Sequence, residues 1–321
     1  MTRWQSRALY LAVGLVLAPS LAGACPGKLG VSRTVTIDST GGPLFGGLQY
    51  KVESLLHDGE VVLTFDDGPL RKYTRKVLKA LSDHCTLATF FMVGRMAVAD
   101  PSMVREVADK GHTIATHTWS HKLLGRVNPR RAAGEVELGV SAVQHALGKP
   151  VAPFFRFPGL SDPKSMIDYS KSRDIAIFSI DIDSYDYRTR NPDRVHRTIM
   201  RQLASKKKGI LLFHDIQIST ARSIKRILNS IQSRGFRIVH FQASEPVKSL
   251  EAFDNQAAQL HAKRRYSASI RPVDAVNIPK STARPSVATR RVRRSATRVR
   301  RRRSATTSPQ QSDWLKSIFN N

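Results

Sequence analysis

Two adjacent carboxylates close a short apolar run in VVLTFDDGPL, Val61–Leu70. Val61–Phe65 reads as a buried strand, being rich in β-branched and aromatic residues. Asp66 and Asp67 then stand at its end, just ahead of a Gly-Pro turn. Turn chemistry alone can account for such a pair, but two histidines further along offer it another use. His117 and His121 lie four residues apart in HTWSH, and a helical turn across them would aim both imidazoles at one cation. Thr118 occupies the place where an H-E-x-x-H zinc site carries its base, so the base must come from elsewhere. The two aspartates can supply it, one binding the metal while the other takes a proton from water. Three later clusters add further groups: Arg156 in RFPGL, Asp181, Asp183 and Asp186 in DIDSYDY, and His214 in LFHD. Arg156 can hold a carboxylate, His214 can protonate a leaving amine, and Asp183 can orient that histidine and raise its pKa.

These residues need a frame that brings them together. Strand-like runs occur at Val61–Phe65, Leu87–Val93, His112–Thr116, Phe154–Phe157, Ile175–Ile180, Gly209–Phe213 and Phe236–Phe241. Helix-like segments lie between them near Tyr73–Ser82, Pro101–Lys110, Pro129–Leu147, Pro163–Ser172, Pro192–Ser205 and Thr220–Ser233, several opened by proline in the first turn. Strands alternating with helices imply parallel strands joined by helical crossovers. Seven such units suit a distorted α/β barrel better than a doubly wound sheet, for which a glycine-rich dinucleotide turn is missing. In a barrel, chemistry gathers on the loops after the strands, where all five polar clusters fall.

The ends of the chain differ in character from this core. MTRWQSR, the apolar ALYLAVGLVLA and the small residues Ala22–Ala24 form the three parts of an export signal over residues 1–24, which leaves no membrane span once removed. Residues 25–59 read as an N-terminal extension, 60–245 as the catalytic domain and 246–261 as a further helix. Residues 262–321 carry 16 basic and 2 acidic residues, more than half of the chain's +27, and include RRVRRSATRVRRRR. So basic and apolar-poor a segment is expected to be disordered and to hold an anionic envelope surface. It lacks interleaved aromatics, so no specific nucleic acid is expected. The chain has two cysteines, Cys25 and Cys85. In an oxidising compartment they can pair, with lipidation of Cys25 as the alternative.

With these residues in place the chain resembles the polysaccharide deacetylases, whose domain is of the nodulation-type chitooligosaccharide deacetylase kind. The resemblance covers roughly Glu60–Phe241 and rests on TFDDGP at Thr64–Pro69, HTWSH at His117–His121 and LFH at Leu212–His214. It implies a distorted seven-stranded β/α barrel, Asp66 as catalytic base, Asp67, His117 and His121 as ligands of one divalent ion, expected to be zinc, and His214 as acid. It also implies removal of N-acetyl groups from N-acetylglucosamine-containing glycans by a secreted or periplasmic enzyme. Two positions depart from the family pattern. Gly159-Leu160 follows Arg156-Phe157-Pro158 where an aromatic residue is usual, although Gly159 still offers a backbone N–H to an oxyanion. The family's Asp-Trp appears as Asp186-Tyr187, and aligning DSYDY makes Asp183 the partner of His214, with Asp181 the alternative. A reading from another class is a non-catalytic envelope or polyanion binder acting through the arginine-rich tail.

Overall fold

The computed structural model describes residues 27–51 and 54–269. In chain order the elements are β1 (Arg33–Ile37), β2 (Leu44–Phe45), β3 (Glu60–Asp66), α1 (Arg71–Asp83), β4 (Thr89–Met92), α2 (Gly94–Ala99), α3 (Pro101–Asp109), β5 (Thr113–Thr116) and α4 (Pro129–Leu147). They continue with β6 (Phe154–Phe155), α5 (Lys164–Ser172), β7 (Ala176–Phe178), β8 (Ile182–Asp183), α6 (Pro192–Lys206), β9 (Gly209–His214), α7 (Ile218–Ser233), β10 (Arg237–Ala243) and α8 (Glu251–Ser269). Short 3₁₀ turns lie at Leu124–Arg126, Pro158–Leu160 and Asp186–Arg188.

Each of the seven expected strand regions contains a strand, and the six expected crossover helices are present. Prolines 101, 129 and 192 occupy first-turn positions, where a missing N–H costs nothing, and Asp100, Asn128 and Asn191 cap those helices. The strands run β8-β9-β3-β4-β5-β6-β7, all neighbours parallel, with β10 beside the start of β3 and β1 outside β10. The sheet curls into an α/β barrel, and among the described residues no ladder joins β7 to β8. The extension before residue 60 lies at that gap: β2 pairs with β7, Leu48 N–H donates to Ile180 O, and Gly47 N–H donates to Asp181 Oδ1. Among the described residues before Glu60, β1 and β2 both join the sheet.

Alternation along β3 shows how the strand sorts its side chains. Val61, Leu63 and Phe65 join the large core between strands and helices, while Val62 joins the barrel interior with Phe91, Phe154, Phe178 and Ile210. By the same period of two, Thr64 and Asp66 face inward, with Thr64 donating to Leu211 O. Phe65 is fully buried and stacks on Phe90 and Phe213; truncating it to alanine would cost about 3–5 kcal/mol. The carboxylate of Asp66 is thus held on a rigid strand, with the core on the opposite face.

α8 runs to Ser269, beyond the 246–261 expected, and packs Ala257, Phe253 and Leu260 against Leu138 and Ala142 of α4. Cys85 is disulfide-bonded; its expected partner, Cys25, lies outside the described residues, as do residues 1–24, where an export signal is expected, and tail residues 270–321. Among the described residues no helix is long and apolar enough to cross a membrane.

Candidate active site

Asp66 ends β3 opposite His214, which ends the adjacent β9. Both side chains point into the barrel mouth because both occupy the inward phase of their strands. Asp67 follows with φ 74, a left-handed turn that carries its carboxylate away from Asp66. Gly68 is required there, since a Cβ would stand 2.3 Å from both carboxylate oxygens of the buried Asp215.

Asp67, His117 and His121 each present one ligand atom, all within 4.8 Å of one another. His121 Nε2 lies 3.1 Å from Asp67 Oδ1, and His117 Nε2 lies 3.5 Å from it. His117 Nδ1 donates to Arg156 O at 2.6 Å, which leaves the lone pair on Nε2 facing the cluster. Burial lowers His117 from its ordinary 6.5 to about 4, with the Asp66 charge opposing, so the ring is neutral, the form that binds metals. Burial opposes the charge on Asp67, but His121, His214 and His117 outweigh it and hold the carboxyl well below the usual carboxylate range. Asp67 Oδ1 and His121 Nε2 are buried without hydrogen-bond partners, an arrangement that a cation would relieve. Two imidazoles and one carboxylate fit a divalent ion with coordination positions left for water and substrate.

The two histidines converge without a helix. Residues 117–121 form a loop with Thr118 at φ 66 and His121 at φ 58, so the four-residue spacing works through two left-handed turns. Glu135 of α4 anchors this loop from below: buried, it accepts from Ser120 N and Oγ at 2.8 Å and from Lys122 Nζ at 2.9 Å. Gly139, one turn on, lets α4 approach, because a Cβ there would meet Thr118 C at 2.6 Å.

Asp66 has a different partner. Arg156, fully buried, donates from Nη1 to Asp66 Oδ1 at 2.7 Å and to Thr64 Oγ1 at 2.8 Å, and its guanidinium lies over the Phe91 ring at 4.2 Å. Its other nitrogens donate to Phe178 O and Ser179 O. Those bonds fix one Asp66 oxygen, and the second, Oδ2, stands 3.9 Å from His117 Nε2 beside the cluster. Gly159 is exposed in the 3₁₀ turn after Arg156-Phe157-Pro158, at φ 63.

His214 is held by Asp186, which corrects the expectation of Asp183 or Asp181. Asp186 Oδ1 lies 2.7 Å from His214 Nδ1, its Oδ2 accepts the backbone N–H of His214 at 2.7 Å, and Thr220 Oγ1 also donates to Oδ2. Register explains the difference: Asp183 pairs with Leu212, two residues below His214, whereas the turn through Tyr185, at φ 51, swings Asp186 up and inward. Asp183 instead accepts from Tyr185 N and Tyr187 Oη, and Asp181 accepts from Gly47 N and Ile210 N. Burial disfavours a charged His214, but Asp186 and then Asp67 outweigh it and push the imidazole up to about 10. Its Nε2 faces Asp67 Oδ2 at 3.9 Å, and Tyr187 packs edge-on at 5.4 Å between ring centres. Sequence reasoning also passed over Asp215, directly after His214, which Thr74 Oγ1 meets; burial raises it to about 7. Its sequence signal was the aspartate that closes LFHD.

Three residues that could hold a metal ion, a carboxylate held by a buried arginine and a histidine held by a second carboxylate stand together at the strand ends of a parallel barrel, an arrangement suited to hydrolysis. Residues 56–177 match the family model for polysaccharide deacetylase, which places this segment in that family. The chain is similar to the peptidoglycan-N-acetylglucosamine deacetylase PgdA of Listeria monocytogenes, 29% identical over 183 residues, covering 56% of this chain and 37% of that protein. It therefore spans little more than a third of that relative's length. A chitooligosaccharide deacetylase of Bradyrhizobium is 28% identical over 192 residues, covering 56% of this chain and 87% of that protein. Among solved structures, the Bdellovibrio bacteriovorus peptidoglycan deacetylase Bd3279 superposes with a TM-score of 0.62 at 31% identity, covering 68% of this chain and 61% of that one.

Proposed function

We propose that this chain is a metal-dependent deacetylase that hydrolyses the N-acetyl group of N-acetylglucosamine-containing glycans, of chitooligosaccharide or peptidoglycan type, and releases acetate. The observation that carries this reading is the split between neighbouring carboxylates: Asp67 sits among two histidines, Asp66 on a buried arginine. Identical side chains in adjacent positions are thereby given different work. A divalent ion held by Asp67, His117 and His121, zinc by its donor set, would polarise the acetamide carbonyl and acidify a water. Asp66, its orientation set by Arg156, accepts the proton of the attacking water. The Gly159 N–H is offered to the developing oxyanion. His214, kept protonated by Asp186, gives its proton to the departing glucosamine nitrogen.

The same reading takes residues 1–24 as an export signal, the enzyme as periplasmic or secreted, and the basic tail as an anchor on anionic envelope material. Acetate release from chitotetraose by purified full-length protein tests it. Release should stop after treatment with a chelator and return on adding zinc. No release from the zinc-loaded protein, on chitooligosaccharide or on peptidoglycan strands, would overturn the assignment.

A further inference from the structure

Five arginines meet outside the catalytic centre. Arg194, Arg197 and Arg201 follow one another at i, i+3 and i+7 on α6, so they form one stripe on the face opposite Val195, Ile199 and Leu203, which are buried. Arg188, from the turn after β8, and Arg234, at the end of α7, close the stripe into a groove of about 890 Å³. The nearest carboxylate on the stripe's own helix, Asp193, is taken by Arg226 at 2.7 Å, and among the described residues none of the five has a carboxylate within ion-pair distance. Like charges at helical spacing destabilise a helix, so the fold gains nothing from this arrangement. The field is felt locally: His196, in the groove wall, is lowered by burial and then by Arg226 and Arg234.

The groove lies beside the loop that carries Asp186. Ser184 and Tyr185, two and one residues before Asp186, are among its lining residues. The Arg188 guanidinium lies over the rings of Tyr185 and Tyr187 at 5.0 and 5.3 Å, and Tyr187 also packs edge-on with His214. A strand with its acetamide between Asp66 and His214 would cross Tyr187 to enter the groove.

We infer that this arginine groove is a substrate subsite for a glycan strand bearing carboxylates, which it holds by forked guanidinium–carboxylate bonds beyond the sugar being deacetylated. The inference rests on the deacetylase reading for its place in catalysis, though not for its ligand chemistry. A nucleic acid fits less well, because the lining is dominated by arginines with few aromatic rings among them, and its tyrosine, Tyr185, already carries the Arg188 guanidinium at 5.0 Å.

Arginine footprinting with phenylglyoxal on the full-length protein reads the groove residue by residue, independently of the basic tail and of turnover. Hyaluronan oligosaccharide, which carries a carboxylate in every disaccharide, should protect Arg194, Arg197 and Arg201, while neutral chitohexaose should leave their labelling unchanged. Replacing the three by alanine should reduce kcat/KM on carboxylate-bearing peptidoglycan strands about tenfold, with each exposed ion pair contributing little on its own, and leave chitohexaose turnover unaltered. No protection by hyaluronan, equal protection by inorganic polyphosphate, or an equal kinetic loss on chitohexaose would each overturn the assignment. Absence of turnover in the wild type on both substrates would instead count against the deacetylase reading, and the footprint would still decide the subsite.

Discussion

His214 and Asp186 are joined at two points: one carboxylate oxygen meets the imidazole Nδ1 and the other accepts the same residue's backbone N–H, each at 2.7 Å. The ring is therefore fixed in orientation and its Nε2 is turned toward the cleft. Asp186 also supplies the main stabilisation of the imidazolium against burial, which lifts the pKa from 6.5 to about 10. An acid with a raised pKa is active below that value and is lost as pH rises through it. A bound cation opposes the charge, so the alkaline limb of kcat is expected between 6.5 and about 10. In Asp186→Asn that limb should move to lower pH, and kcat at pH 8 should fall about 10²-fold. Asp183→Asn, which loses only contacts to Tyr185 and Tyr187, should leave the limb in place. A pH–rate profile of the two variants separates them, and a shift in the second alone would return the role to Asp183.

Glu135 touches no proposed ligand directly, yet it holds the loop that carries two of them through Ser120 and Lys122. Glu135→Ala should weaken zinc affinity about 10-fold or more, as loss of a supporting shell does elsewhere. Chelator competition measures this. Glu106→Ala, which removes an exposed pair with Arg75, should leave affinity unchanged.

Most of the frame was legible because β3 and β9 are largely apolar runs and the prolines mark helix starts. Asp66, Asp67, His117, His121, Arg156 and His214 were found from residue type and position after a strand. What the sequence hid was geometry at the scale of one or two residues. DIDSYDY offers three aspartates, and only the register of β8 against β9, with the left-handed Tyr185, selects Asp186. HTWSH has helical spacing, but Gly139 and Glu135 of α4 hold it as a loop. β2 has two residues and α2 six, too few for any period to show, although the β-branched alternation of RTVTI in β1 was available to be read.

Gly68 sits where a side chain cannot. A Cβ there would press on Asp215, which is buried and tied to Thr74, so the carboxylate cannot swing aside. Gly68→Ala should destabilise the fold by about 1–3 kcal/mol in urea titrations and lower metal content by displacing Asp67. Gly125→Ala, whose nearest neighbour would be Pro163 at 3.9 Å, should be near neutral.

Cys85 is disulfide-bonded in a chain with two cysteines. Peptide mapping without reductant should recover a Cys25–Cys85 linked pair, and reduction should lower stability by about 2–4 kcal/mol. Recovery of two free thiols, or of a lipidated Cys25, would exclude the bond.

The division of labour between Asp66 and Asp67 is tested by metal content and acetate release measured on the same preparations of two variants. Asp66→Asn keeps the shape of the side chain but cannot take a proton from water, so zinc should stay bound while kcat falls about 10²–10⁴-fold. Asp67→Ala removes one of three protein ligands, so zinc should be lost together with activity. Zinc lost from Asp66→Asn but retained by Asp67→Ala would reverse the two roles, and undiminished acetate release by both variants would contradict the mechanism outright.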